Sequence, residues 1–470
     1  MAGALKPLPR GTVLCLALLC GLTLLRLIVA ARLDLAPDEA YYALWAAHMQ
    51  PGYYDHPPMV ALFIRLGEAV FGKTSLGVRL LAPLSAFIGS LLVWDAADRL
   101  FPAQKPGLKA ALLMNATLMI GAGAIIITPD TPLLLFWSAS LNALSRLIES
   151  GQRRWWLVAG LCLGLALLSK YTAVLFIAAC FFWLLTSAKG RGQLCTPWPW
   201  VAVALALLVF GPDIAWNYAH DWVSYAKQGG RVEGINPARA AQFLGELIVG
   251  QLGLLTPGVF ALALTGTWRL RLVRREGARL LLWLTAVPLA VMLEHVLSDR
   301  VQANWLAILY PSLLIAAALL PAKRWFAGAL GLGYVVSGVV YVQALTGLLP
   351  IPPKLDPIAL QLAGWRGLVG QIAALKSPYI TTDDYALAAE LVFYGPPGLR
   401  VVGFEDRWDY FAGYQRAELD GVPGLYITHR LGGPCDKVGA LTRYEGTRPA
   451  WPYKVCSYIA IWPGRDIPHP

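Results

Sequence analysis

Apolar runs close to the length a helix needs to cross a bilayer recur through the first 348 residues of the chain. A crossing takes roughly 20 predominantly apolar residues, and in lipid each run must close its own backbone hydrogen bonds as a helix. The runs lie at about 11–31, 77–98, 110–127, 130–148, 155–169, 171–188, 198–216, 241–267, 279–297, 303–321 and 325–348. The stretch between Arg154 and Lys189 is too long for one ordinary span. Basic residues at both ends and the Ser169-Lys170-Tyr171 break divide it into two. The expectation is a polytopic α-helical membrane protein with about eleven transmembrane helices. The first run is long, and no clean small-residue cleavage site precedes Asp34, so it reads as a span rather than a cleavable signal peptide.

Charge tests this reading. The chain is 57% hydrophobic and only 14% charged, yet its net charge is +11. Soluble domains are about 45–50% apolar and about 25% charged. A nucleic-acid binder would account for the charge but not for the apolar excess. With Lys6 and Arg10 inside, the alternate loops collect seventeen basic and four acidic residues. The rest of the chain, apart from Arg26 within the first run, is slightly acidic. Lys and Arg accumulate in cytoplasmic loops, so the N-terminus is expected inside. The odd-numbered connections and the tail are then expected outside.

This topology divides the chain into a transmembrane part, residues 1–349, and a tail, residues 350–470. The outward segments 32–76 and 217–240 are too long to be mere links. Pro350, Pro352, Pro353 and Pro357 mark the boundary. Beyond it, short alternating runs at Tyr379–Thr381, Arg400–Val402, Gly424–Ile427 and Val455–Ile459 read as strands, with a helical pattern from Tyr385 to Tyr394. They predict a small C-terminal α/β extracytoplasmic domain. Cys435 and Cys456 both fall in it, and the sequence leaves open whether they form a disulfide. Neither an internal repeat nor a metal-ligand spacing is present in the sequence; a divalent metal is not indicated, although Asp55, His56 and His295 are potential ligands.

In a chain so sparing of charge, Asp38, Glu39, Asp55 and His56 fall within nineteen residues of the first outward segment. Pro37 opens a helix with Asp38 and Glu39 in its first turn, and acids there are favoured by the helix dipole alone. Both acids nonetheless sit beside aromatics at the expected membrane surface, where desolvation raises a carboxylate and can make it a base. The second cluster is Asp55-His56-Pro57-Pro58: an acid, a titratable ring and a rigid diproline.

An acidic pair after the first span, followed about seventeen residues later by an aromatic-Asp-His-Pro-Pro run, resembles the C-type glycosyltransferase superfamily (GT-C). More narrowly, it is similar to the branch holding protein O-mannosyltransferases and lipid A aminoarabinose transferases. The likeness continues in GVRLLAPL around Arg79, GLALLSKYTAVLF around Lys170, GPDIAWNYAHDWVSY at 211–225 and VQANWLAILYPSL at 301–313. No room remains for the β-trefoil insertion of the eukaryotic mannosyltransferases, which favours a bacterial member. The chain departs from both subgroups. Protein mannosyltransferases continue the His-Pro-Pro motif with a Leu-Gly-Lys-type ending where this chain has Met59-Val60-Ala61. The aminoarabinose transferases carry Lys-Pro-Pro where it has His56-Pro57-Pro58. Sugar and acceptor therefore stay open.

The resemblance implies an inverting transfer from a polyprenyl-phosphate-linked sugar donor on the periplasmic face of the bacterial cytoplasmic membrane. The acceptor would be a lipid or lipopolysaccharide of the lipid A type, or, alternatively, a protein. Asp38 matches the family's catalytic first-loop acid; Glu39 joins it as a partner or a cap, and Asp55 and His56 match the second motif. Transfer also needs cations for the departing phosphate. Lys170, at a break between two apolar runs, is the leading candidate because charge at membrane depth is costly and usually functional. Arg79 and Arg65 follow, with Arg231, Arg239 and Arg300 less distinguished. Asn217, Asn304 and Trp305 read either as a sugar platform or as part of an aromatic belt, and Arg26 as the partner of an internal acid. A transporter or flippase is the rival from another class; membrane lipids are expected partners and nucleic acid is not.

Overall fold

The computed structural model describes residues 9–229, 237–404, 406–410, 416–430 and 436–459. The chain begins with α1 (Arg10–Arg32), α2 (Pro37–Ala47), α3 (Met59–Phe71), α4 (Ser75–Arg79) and α5 (Leu81–Leu100). It continues through α6 (Gly107–Asn115), α7 (Leu118–Gly121), α8 (Asp130–Ser150), α9 (Arg154–Leu167), α10 (Val174–Leu185) and α11 (Ala188–Leu194). Next come α12 (Trp198–Ala219), α13 (Val223–Gly229), α14 (Pro237–Leu255), α15 (Pro257–Leu270), α16 (Glu276–Val296), α17 (Tyr310–Ala318) and α18 (Lys323–Thr346).

Among the described residues, five helical segments are long and apolar enough to cross a membrane: Arg10–Arg32, Ser75–Leu100, Trp198–Ala219, Glu276–Val296 and Lys323–Thr346. Three bent pairs raise this to as many as eight. One pair corrects the sequence reading of a single continuous span over 241–267. The chain turns by 105° between Leu255 and Pro257, because Thr256 takes a φ of 65° and Pro257 starts a new helix. Another, the 73° bend between α6 and α7, is held by Arg26. Its Nη2 donates to Asn115 Oδ1 at 2.9 Å and its Nε to the Gly121 carbonyl at 3.2 Å. The buried cation of the first span therefore meets an amide and a freed carbonyl rather than the acid expected. A bent helix leaves carbonyls unsatisfied, and a guanidinium supplies the missing donors.

After α18 come α19 (Pro357–Leu362), α20 (Trp365–Ala373), β1 (Ile380–Thr382), α21 (Tyr385–Tyr394), β2 (Val401–Gly403), β3 (Pro423–Thr428), β4 (Lys437–Glu445) and β5 (Arg448–Ile459). The strands form one mixed sheet in the order β2-β1-β3-β5-β4. The β1–β2 and β1–β3 pairs are parallel, and β3–β5 and β4–β5 antiparallel. Cys435 lies outside the described residues.

The tail packs on the segment between α1 and α4, with α21 lying along α2. A single apolar cluster contains Tyr41, Trp45 and Val60 of that segment together with Leu387, Leu391 and Trp408 of the tail. Polar ties reinforce it: Arg366 Nε pairs with Asp34 at 2.9 Å, and the Tyr394 hydroxyl accepts from the Leu35 amide at 2.7 Å. Trp408 is wholly buried, so the short 3-10 turn Asp406–Tyr410 is anchored against the same core.

Candidate active site

The acids of the first connecting segment occupy two very different environments. Glu39 and Arg79 are both fully buried. Arg79 Nε donates to both Glu39 oxygens, at 2.9 and 3.0 Å, and Nη2 donates to Oε2. The remaining Arg79 donors go to the carbonyls of Ala30, Leu33 and Asp34. Glu39 also accepts from the Ala36 and Ile127 amides, each at 2.9 Å. The Ala36 bond caps α2, and Pro37 needs no donor at that position. The pair thus clamps the end of α1, the start of α2, the end of α4 and the chain at Ile127. The sequence reading placed Arg79 at a substrate phosphate. In the fold its donors turn inward, because a buried carboxylate demands a complete set of partners.

Asp38, one residue earlier, faces the opposite way. Its side chain reaches solvent, and its Oδ1 accepts the hydroxyl of Tyr385, on α21, at 2.9 Å. The crowded surroundings raise its carboxyl above the ordinary range, with Asp55 and Glu39 adding to the rise. Tyr385 and Arg407 act in the opposite direction. Asp55 Oδ2 accepts from the Tyr41 hydroxyl at 2.9 Å and lies 3.7 Å from Arg407 Nη1. His56 follows, its ring 6.4 Å from that of Tyr42. Two tyrosines one turn of α2 beyond Asp38 therefore connect the Asp38 and Asp55 motifs.

Lys170 belongs to a second group. Its Nζ donates to Asp130 Oδ1 at 2.8 Å, and Asn304 Nδ2 donates to Asp130 Oδ2 at 2.7 Å. The Trp305 ring centroid lies 5.7 Å from the ammonium. Asp130 also lines a narrow, largely apolar crevice with Ala82, Ala86, Met114, Ala124 and Leu134. The two groups are joined through the backbone: the Met59 amide, just after the diproline, donates to the Leu168 carbonyl at 3.0 Å.

Asn217 is buried rather than placed on an open platform. It donates to Asp213 Oδ2 at 3.2 Å and accepts from the Ser224 amide. The neighbouring Trp216 is stacked on His220 with centroids 4.0 Å apart and donates to Gln50 Oε1 at 3.0 Å. Tyr54 stacks at 5.2 Å on Tyr410 from the tail. Aromatic faces are thus grouped beside the Asp55 loop, although Asn217 itself braces the turn beneath them. Arg65 is on the exposed face of α3, Arg239 is exposed on α14, and Arg300 pairs with Glu246 at 2.7 Å. Arg231 lies outside the described residues. Among the described residues, no three His, Cys, Asp or Glu side chains are grouped to hold a metal ion.

Residues 55–216 match the family model described as dolichyl-phosphate-mannose-protein mannosyltransferase. The chain is 27% identical over 443 residues to a lipid A galacturonosyltransferase, RgtD, of Rhizobium johnstonii, covering 90% of this chain and 89% of the relative. It is 27% identical over 314 residues to an undecaprenyl phosphate-α-4-amino-4-deoxy-L-arabinose arabinosyl transferase of Pseudomonas fluorescens, covering 57% and 56%. Its fold superimposes on ArnT from Cupriavidus metallidurans in the undecaprenyl phosphate-bound crystal structure, with a TM-score of 0.67, 16% identity, and 98% and 99% of the two chains covered. The chain is thus similar along most of its length to a lipid A glycosyltransferase and shares the fold of ArnT.

Three residues of the two groups escaped the sequence reading. Asp130 opens an apolar run directly after Pro129, and an acid at that position is the signal that could have raised it. Tyr385 and Arg407 had no comparable signal. They lie in the tail, and only the docking of α21 and the 406–410 turn brings them to Asp38 and Asp55.

Proposed function

We propose that the chain transfers a sugar from a polyprenyl-phosphate donor to a lipid acceptor of the lipid A type, with inversion at the anomeric carbon. The observation that carries this reading is the facing pair Asp38 and Asp55, held by tyrosines beside a stacked aromatic wall. The full-length similarity to a lipid A galacturonosyltransferase and the shared ArnT fold support the choice of substrates. In the proposed step an acceptor oxygen attacks the anomeric carbon as the bond from that carbon to the phosphate oxygen breaks. Asp38 takes the proton from an acceptor hydroxyl, and the bonding pair leaves with polyprenyl phosphate. A raised carboxyl is better matched to that proton than an ordinary one. Asp55 and His56 position the acceptor, Lys170 with Asn304 and Trp305 meets the donor phosphate, and the apolar crevice beside Asp130 takes the adjoining lipid chain. Glu39 and Arg79 hold α2 and hence the direction of Asp38.

The accompanying topology is a multi-pass protein of the bacterial cytoplasmic membrane, with a cytoplasmic N-terminus and residues 350–470 as a periplasmic domain. The test is release of free polyprenyl phosphate by purified protein supplied with polyprenyl-phosphate sugars and lipid A acceptors. Mass spectrometry of the acceptor would identify the added sugar. Release with an exported protein as the only productive acceptor would favour a protein O-glycosyltransferase. Vectorial lipid movement in liposomes without release would overturn the enzyme.

A further inference from the structure

Lys170 and the Asp55 loop are held against each other by a residue with no part in the reaction so far. Lys170 turns its ammonium to Asp130, and the next residue, Tyr171, turns its hydroxyl the other way, donating to Asp213 Oδ1 at 3.4 Å. Asp213, on α12, is wholly buried. Its Oδ2 accepts from Asn217 Nδ2 and from the Tyr225 hydroxyl, each at 3.2 Å. The same carboxyl group packs on the start of the Asp55 loop, since a Cβ at Gly52 would lie 3.1 Å from Oδ1. From Asn217 the bonds run on into the loop itself. Asn217 Oδ1 accepts from the Ser224 amide at 3.2 Å, and Ser224 Oγ donates to the Tyr53 carbonyl at 2.8 Å. One turn of α13 later, Gln228 Nε2 donates to the Asp55 carbonyl at 2.8 Å.

Two features suit this arrangement to holding position. The hydrogen-bond partners of the Asp213 carboxyl among the described residues are hydroxyl and amide groups, without a cation. A buried acid without a cation is costly, so what Asp213 contributes lies in the bonds it directs. The chain also reverses from α12 into α13 through Asp221 and Trp222, both left-handed, at φ 53° and 58°. A tryptophan is strained there, and such strain persists only where the surroundings over-determine it. The reversal is what returns Ser224 and Gln228 to Tyr53 and Asp55. We propose that Asp213 is a positioning residue that fixes the Lys170 break, on the donor side, against the Asp55 loop, on the acceptor side. Inversion puts the attacking oxygen and the departing phosphate on opposite faces of the sugar. The spacing of the two elements therefore sets the alignment of the substrates rather than the strength with which either one binds. The inference rests on the transfer reading for the naming of the two sides, but one arm of its test needs no turnover.

Steady-state kinetics and amide hydrogen exchange of the purified full chain test it together. Asp213→Leu should lower kcat by about 10- to 100-fold, with the KM of donor and acceptor each within about threefold of native. It should also speed exchange in residues 50–55 and 168–172 alike, by at least about tenfold. Asp213→Asn keeps the shape of the hub: its Oδ1 can take the Asn217 and Tyr225 bonds while its Nδ2 donates to the Tyr171 hydroxyl. That variant should hold kcat within about fivefold of native and keep the native exchange rates. Should Asp213→Leu unfold, adding Tyr171→Phe and Tyr225→Phe removes the hydroxyls it strands, and the same readouts decide. The positioning role is overturned if the Leu variant keeps native kcat or if its loss appears in one KM alone. It is also overturned if Asp213→Asn is as damaging as Asp213→Leu, which would give the charge itself the task. A native protein that transfers no sugar loses the transfer reading, and exchange then decides alone. Faster exchange in both segments of the Leu variant retains Asp213 as their tie, and faster exchange in one or neither removes it.

Discussion

The Tyr385 hydroxyl donates to Asp38 Oδ1 at 2.9 Å across 347 residues of sequence. This bond brings the tail into the acid site and gives α21 a direct effect on the proposed base. Asp38 is raised by its crowded surroundings and lowered in part by Tyr385. Tyr385→Phe removes a lowering influence, so the acidic limb of the rate profile should move to higher pH. Asp38→Asn should reduce turnover by about 10²–10⁴-fold with the fold retained. Rate profiles of kcat/KM for both variants check the two expectations together.

Glu39 and Arg79 form a closed, fully buried pair, and removing either partner leaves a charge without compensation. Glu39→Gln or Arg79→Met should each destabilise the protein by about 3–5 kcal/mol. The double variant should lose less than the sum of the two, since no charge remains stranded. Thermal unfolding in detergent across the full double-mutant cycle measures the coupling.

Lys170→Ala should raise KM for the donor by at least about tenfold, with a smaller change for the acceptor. Because the substitution also strands Asp130, the informative companion is Lys170→Met with Asp130→Asn. That double variant should recover thermal stability without recovering donor affinity. Recovery of both would show that the pair serves the fold alone.

Gly52 marks a place where the backbone passes close to the aromatic wall. A Cβ added there would lie 2.8 and 2.9 Å from Trp216 ring carbons and 3.1 Å from Asp213 Oδ1. Gly52→Ala must therefore shift the loop that carries Asp55 and His56. A displacement of that order should lower kcat/KM by about 10- to 100-fold, measurable with one donor and one acceptor at saturation of the other.

Glu390, on α21, is fully buried, and neither of its carboxyl oxygens has a hydrogen-bond partner among the described residues. Burial raises its pKa well above the ordinary value, Asp34 and Glu39 reinforce the rise, and Arg443 and Arg79 oppose it. The folded protein thus holds this proton more tightly than the unfolded chain does. The resulting stability is full below the ordinary carboxyl pKa and is lost as pH rises through the raised one. Thermal stability should fall along that rise, and Glu390→Gln should flatten the dependence; melting curves across a pH series provide the measurement.

Much of the architecture was legible because lipid imposes a coarse rule. A run such as 11–31 must be helical and about one bilayer long, and the helix at Arg10–Arg32 follows that rule. In the tail the pattern from Tyr385 to Tyr394 coincides with α21, since its apolar residues already repeat at helical spacing. The 105° turn at Thr256 was not legible: it breaks a run that stays apolar on both sides, so hydropathy has no contrast to report. Arg79 was misdirected for a related reason. An arginine at the edge of a span is costly wherever it sits, and sequence does not say whether a phosphate or Glu39 offsets the cost.

Sequence by itself determined that the chain is a many-span helical protein, and it singled out Asp38, Asp55, His56 and Lys170 as charges worth explaining. These conclusions rest on local composition, which is complete within each run. Only the tertiary structure decided which charges are partners of one another. It closed Arg79 on Glu39, paired Lys170 with Asp130, and carried Tyr385 and Arg407 to the acids. Pairing depends on distances of a few ångströms between residues 40 positions apart in the first two pairs and 347 apart for Tyr385 and Asp38, and the last is set by how α21 packs on α2.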